Sequence, residues 1–395
     1  MPEPKSATPR LPKKVSLGSW LRWAVGILGS PLLLVATLLL AGLVYKTVVR
    51  AEAVQAAFAL PDPNIPLKLP RDLAARPEFR TEWWRYHGQV SGASGDNFAI
   101  NFSFTQEWQP KNRLAGLFLW PSLKKMCDAW FSITDFQRKA FVYYERSGTA
   151  DERSVGSSAE EYQLRFGDWL VEKANNGHRL AIRQNGQGFE LVALPEKQGI
   201  LQGQAGYNWR GLDGAPVYFL TYPRMALKGT LTLAGKEYRV AGSAWLDHES
   251  TSYELPPSTI GWDRFSLQLE NNHELFLLIW RLKDGTAAPD CPATLILPDG
   301  SLVNLDQTSY EIKTVKYWFS ARTKTAYPCA WTIRLPDNRA ELNLVSQVED
   351  QELLLHNGKQ ALWMGPCAVR GTWNNWPITG KGFAELAGYR KPVAP

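Results

Sequence analysis

The segment Glu82-Trp83-Trp84-Arg85-Tyr86-His87-Gly88-Gln89-Val90 decides the fold, because the chain carries it twice. Set over residues 261–269, GWDRFSLQL, it aligns Trp83 with Trp262, Arg85 with Arg264, Tyr86 with Phe265 and Gln89 with Gln268. A turn and an apolar strand follow each copy. The ends of the two halves correspond as well. Residues 228–247, KGTLTLAGKEYRVAGSAWLD, resemble residues 370–385, RGTWNNWPITGKGFAE. Both finish with Gly, two residues, an aromatic, one residue and a carboxylate, so Asp247 and Glu385 are equivalent.

Between these landmarks the chain reads as strands and hairpins. NFAINFSF, WFSITDF, FVYYER, YQLRF, RLAIRQ and FELVAL follow the first copy, and LFLLIWRL, ATLILP, AWTIRL and ELNLVSQ follow the second. Alternating or aromatic-rich runs bounded by Gly, Asn and Asp are strand signals. Helical periods are nearly absent past residue 80. Closing a sheet on itself removes its exposed edges, so an all-β body of two tandem barrels is expected, residues 81–250 and 251–395.

Charge and hydropathy set the surroundings of this body. The net charge is +6, but Lys5, Arg10, Lys13, Lys14 and Arg22 stand against Glu3 alone in residues 1–22. The remainder carries too little excess charge, and no basic run with interleaved aromatics, to bind nucleic acid. Residues 23–45 contain no charged side chain. At 1.5 Å rise per residue that stretch exceeds the ~30 Å hydrocarbon layer, so it is expected to span a membrane. Its basic flank comes first, which places the tail in the cytoplasm and the body outside or in the periplasm. A cleaved signal peptide is the rival, since Ala57-Phe58-Ala59 has the small-x-small form. The apolar core is too long for that reading. Residues 46–80, with four prolines between 60 and 72, are expected to form a stiff spacer. Cys127, Cys291, Cys329 and Cys367 show no metal or redox spacing and read as small buried hydrophobes.

Four signatures, EWWRYHG at 82–88, GSAWLDHE at 242–249, GWDRFSLQL at 261–269 and GKGFAELAGY at 380–389, together resemble the AttH-like and carotenoid 1,2-hydratase (hydroxyneurosporene synthase-like) family. The resemblance implies a tandem lipocalin-like fold and an apolar lipid or isoprenoid ligand. For the hydratase branch it implies cofactor-free addition of water to a C=C bond, a hydro-lyase reaction. An ABC-type export system is a partner that the resemblance suggests. Arg85, Arg264 and Ala387 depart from its usual pattern.

Hydrating an unactivated alkene needs an acid able to protonate carbon, a wall that tolerates the resulting cation, and a held water. A carboxylic acid in an apolar pocket meets the first need, because desolvation raises its pKa. Asp247 is the first candidate, since Trp245, Asp247 and Glu249 share one strand face while His248 points to the other, or, if the strand ends at Asp247, turns toward the same pocket. Glu385, Asp263 and His248 are candidates for the second proton-transfer group. Trp84, Tyr86, Trp245, Trp262 and Phe265 are candidates for a ligand-binding wall that stabilises a cation. The same carboxylates also read as partners of Arg85 and Arg264 in a duplicated scaffold. His87, His178, His273 and His356 read as ordinary surface or satisfied histidines. No GxSxG and no HExxH occur, so a serine or zinc hydrolase has no motif, and no metal spacing is present. The rival of a different class is a non-catalytic lipid or isoprenoid carrier.

Overall fold

A computed structural model describes residues 58–110, 123–151, 153–210, 215–289 and 291–390, together with Thr37. The expected cytoplasmic tail and membrane-spanning stretch, residues 1–45, lie outside the described residues apart from Thr37. Among the described residues no helix is long and apolar enough to cross a membrane.

Two antiparallel sheets make up the body. The first has 13 strands, and its path ends at Ala140–Thr149 and Val155–Ser157, which an Asp151–Val155 bridge brings together into a nearly closed barrel. The second has 10 strands between Thr259 and Ala387. Apart from the 3-10 turns Arg71–Leu73 and Pro336–Asn338, residues described past 58 form no helix. Hairpins are made by two-residue turns in the left-handed region, such as Asn374-Asn375 and Asn185-Gly186. That geometry matches the strand twist, and Asn and Gly tolerate it best.

Four central strands position the site: β1 Thr81–Gly92, β2 Lys236–Thr251, β3 Thr259–Leu269 and β4 Trp376–Ala387. β1 pairs with β2 and β3 with β4, placing Arg85 beside Asp247 and Arg264 beside Glu385. The aligned repeat thus corresponds in register as well as in sequence. Alternation sends Trp84, Tyr86 and Val90 into the first barrel's core and Phe265, Leu267 and Leu269 into the second's. Trp83, Arg85, His87 and Gln89 take the opposite face, which abuts the other half. Two mixed clusters close that seam: Phe219 and Trp245 with Phe276 and Trp280, and Ala99 and Trp130 with Leu353 and Phe383.

Residues 58–80 lie against the first barrel instead of standing away from it as a free spacer. Leu67, Leu73, Ala75 and Phe79 join its core. Trp84 Nε1 donates to the Leu73 carbonyl at 2.8 Å, and the Tyr218 hydroxyl donates to the carbonyls of Asp62 and Ile65. The prolines stiffen this strap, but its leucines supply the apolar surface that docks it.

Candidate active site in the seam between the barrels

Side chains from both halves line a cleft of about 310 Å³. Its aromatic wall is Trp83, Trp130, Trp262 and Trp280, and its charged groups include Arg85, Arg264, Glu249 and Glu385. The volume sits at the lower end of small-molecule pockets, ~300–1,000 Å³.

The ion pairs cross the seam. Arg85, from the first half, contacts Glu385 of the second, while Arg264 Nη2 lies 2.7 Å from Asp247 Oδ2 and its Nη1 3.6 Å from Glu249. Neither arginine settles on the carboxylate beside it in its own sheet. Two glutamines repeat the crossing: Gln89 Nε2 donates to the Gly382 carbonyl at 2.9 Å, and Gln268 Nε2 to that of Ala244 at 3.0 Å. Arg85 and Arg264 both lie over the ring of Trp83, at 5.1 and 4.9 Å. That ring is already engaged by cations, and Arg85 also lies 5.4 Å from the centre of the Trp130 ring, leaving Trp262 and Trp280 to face a ligand.

Asp247 and Glu385 are equivalent in the repeat but not in environment. Asp247 is fully buried beneath Arg264 and does not reach the cleft wall. Its Oδ1 accepts from Thr221 Oγ1 at 2.5 Å and Trp245 Nε1 at 2.8 Å. Burial raises its pKa, with Arg264, Thr221 and Trp245 opposing. Glu385 lines the cleft and accepts from Trp262 Nε1 at 2.9 Å. Burial works to raise its pKa too, but Arg85 and Arg264 outweigh that and hold it below its ordinary value.

Of the residues singled out in the sequence, the cleft wall takes Trp262 and Glu385. Trp245 and Asp247 lie immediately below it. The structure does not bring the others there. His248 stays on the opposite face because β2 runs on to Thr251, and it stacks on Trp84 with ring centres 4.3 Å apart inside the first barrel. Its Nε2 is 3.2 Å from Glu82 Oε1. Tyr86 is buried in the same core, its hydroxyl 2.7 Å from His178 Nδ1. Asp263 and Phe265 belong to the second barrel's side, where Tyr389 donates to Asp263 at 2.9 Å and burial pushes that carboxyl up to about 6.

Glu249 shares a strand face with Trp245 and Asp247, so alternation finds it; Trp83 and Arg85 alternate away from Trp84 and Tyr86, and only the pairing of β1 with β2 sets them beside Glu249 and Asp247. Trp130 carries no such signal. His87 is a correction: it is buried, and neither ring nitrogen has a hydrogen-bond partner. No disulfide joins the four cysteines, all of which are buried.

The AttH-like family model matches residues 60–389. The chain belongs to the AttH-like family. Two crystal structures share the fold of this AttH-like chain. A protein of Nitrosomonas europaea, provisionally named as an AttH, superposes with a TM-score of 0.74 at 24% identity, covering 84% of this chain and 100% of its own. Kievitone hydratase from Nectria haematococca does so with a TM-score of 0.64 at 16% identity, covering 84% and 96%. No curated protein matches the chain.

Proposed function

We propose that this chain binds the end of an apolar isoprenoid or lipid in the seam cleft and adds water across a C=C bond without a cofactor. The observation that carries this reading is the split between the repeat-equivalent carboxyls, Asp247 raised and Glu385 lowered. Groups whose environments push their pKa values apart are suited to acid and base roles. The name of the hydratase that shares the fold is in keeping with this reading.

In the proposed reaction Asp247 gives its proton to one alkene carbon, a water oxygen bonds to the other, and that water's surplus proton passes to Glu385. Protonating carbon turns Asp247 into a carboxylate facing the new cation. The faces of Trp262 and Trp280 contribute ~0.5–2 kcal/mol each to its stabilisation. Arg264 covers Asp247, so a ligand that shifts this guanidinium both exposes the acid and removes the cation opposing its protonation. Solvent then returns the proton from Glu385 to Asp247.

The charge-free stretch 23–45 supports tethering in the cytoplasmic membrane with the body on the periplasmic side. An ABC-type exporter is the partner class proposed. A tether beside the bilayer raises the effective concentration of a lipid-derived ligand. The second reading is a carrier without chemistry. It is favoured by Asp247's two hydrogen bonds and its arginine, the surroundings of a purely structural carboxylate.

To decide between them, the full-length protein in detergent is incubated with geranylgeraniol and with extracted membrane lipids, and the products are analysed by mass spectrometry. A product heavier by one water, lost in Asp247→Asn and Glu385→Gln, supports the hydratase. Unchanged bound ligand supports the carrier, and absence of any bound ligand overturns both.

A further inference from the structure

One face of β1 borders three spaces in succession. Trp83 and Arg85 line the cleft, His87 and Gln89 line a void of about 10 Å³, and Gln89 and Ser91 line an outer pocket of about 390 Å³. β4 repeats the order from the other half: Glu385 at the cleft, Phe383 at the void, and Lys381 shared by void and outer pocket. The outer pocket is polar, bounded by Asn97, Gln137, Lys139 and Gln347 among others. The three spaces thus follow one another along the seam, the polar pocket and the chamber sharing Gln89 and Lys381, and the cleft beginning one rung further along β1 at Arg85.

The chamber has the size and lining of a single water site. About 10 Å³ is at the threshold for holding one water, ~10–15 Å³, and a water there needs two to four polar partners. Gln89, Ser243, Ser266, Gln268 and Lys381 border it together with His87. His87 is 3% exposed and neither ring nitrogen has a partner within the protein. Buried polar groups of folded proteins almost always have one. The imidazole is held in place by the rings of Trp245 and Phe383. Burial, then the positive charges of Arg264 and Arg85, keep its pKa well below the ordinary value, so the ring is neutral. A neutral imidazole presents one donor and one acceptor, which suits holding a water. The repeat-equivalent position is Ser266, which borders the same chamber, so both halves line it but only one contributes an imidazole.

We propose that His87 holds a water in this chamber and that the seam delivers it to the cleft from the side opposite the apolar ligand. This rests on the hydratase reading for its chemical use but not for its existence. Two entrances solve a problem of that reaction, since an aromatic-walled cleft filled by an isoprenoid excludes the water it must add. The role of His87 is to place the oxygen, and the proton leaves to Glu385.

The test has a structural and a kinetic arm, both on the full-length protein. A crystal structure fine enough to show ordered solvent is expected to place a water within hydrogen-bond distance of a His87 ring nitrogen. A dry chamber overturns the inference. With geranylgeraniol as the probe, His87→Phe is expected to lower kcat for the hydrated product at least tenfold while KM and melting temperature hold. His87→Gln, which keeps hydrogen-bonding atoms, is expected to recover part of that loss. Wild-type turnover in His87→Phe overturns the delivery role. Water at His87 with no product from the wild-type protein leaves the site standing and sinks the hydratase reading, whereas product with a dry chamber does the reverse.

Discussion

Replacing Arg264 with Met tests the crossed ion pairs most directly. Met keeps much of the apolar stem but removes the guanidinium, which lies over Trp83, Phe219 and Phe276 and faces Asp247 and Glu249. The side chains of Arg264 and Asp247 are 5% and 0% exposed, so solvent does not screen the loss. Removing one partner of a buried pair costs ~3–5 kcal/mol, because the other charge is left without compensation. At ~2 °C per kcal/mol for a body of this size, the melting temperature should fall by ~6–10 °C. The loss should also depend on pH. The pKa of Asp247 in the folded protein is already raised above its unfolded value, and losing Arg264 raises it further. Its favourable contribution is therefore full below the unfolded value and is lost as pH rises through the folded value. The variant should suffer less at pH 5 than at pH 8. Adding Asp247→Asn should recover much of the stability and flatten the pH dependence. Calorimetry on the four proteins of this cycle at both pH values gives the coupling. A loss below ~1 kcal/mol, or a double variant as unstable as the two single losses added, refutes the electrostatic account.

Three further outcomes are expected. Asp263→Asn should flatten stability between pH 4 and 6. The wild-type carboxyl, raised to about 6, favours the fold when protonated and loses that contribution as pH rises through 6, an effect of order 1–3 kcal/mol in thermal melts. Gly382→Ala should cost ~1–3 kcal/mol in urea unfolding, because a Cβ there would stand 2.3 Å from the Ser266 carbonyl oxygen and backbone must move to admit it. Thiol reagents should leave the folded protein unlabelled at neutral pH. Burial keeps Cys127 and Cys367 at about 12 and Cys329 at about 11, and mass spectrometry would register any adduct.

The fold was legible because its signal is local and repeated. Alternation along residues 82–90 and 261–269 gives strand, face and duplication together, and Trp245, Asp247 and Glu249 do share one face as alternation requires. What alternation cannot give is the partner of that face. Arg85 lies beside Asp247 in the strand register, yet its charge meets Glu385 across the seam. That choice follows from how two sheets stack, a long-range property with no trace in spacing. His87 was misread for the same reason. On an isolated sheet its face would be wet, and only the second barrel dries it. Trp84, Tyr86 and Phe265 look like binding aromatics in the sequence, but their parity commits them to the barrel cores.

The crossed contacts of Arg85, Arg264, Gln89 and Gln268 are those of an isologous dimer whose two subunits share one covalent chain. A true homodimer must present identical groups on both sides of its axis, so any device lying on that axis is symmetric or averaged. Here Arg85 and Arg264 both line the cleft, and linking the copies frees each side to mutate alone. Asp can face Glu, and His can face Ser. Separating the halves and letting either one pair with itself would restore symmetry, and with it would vanish the inequality between the two sides.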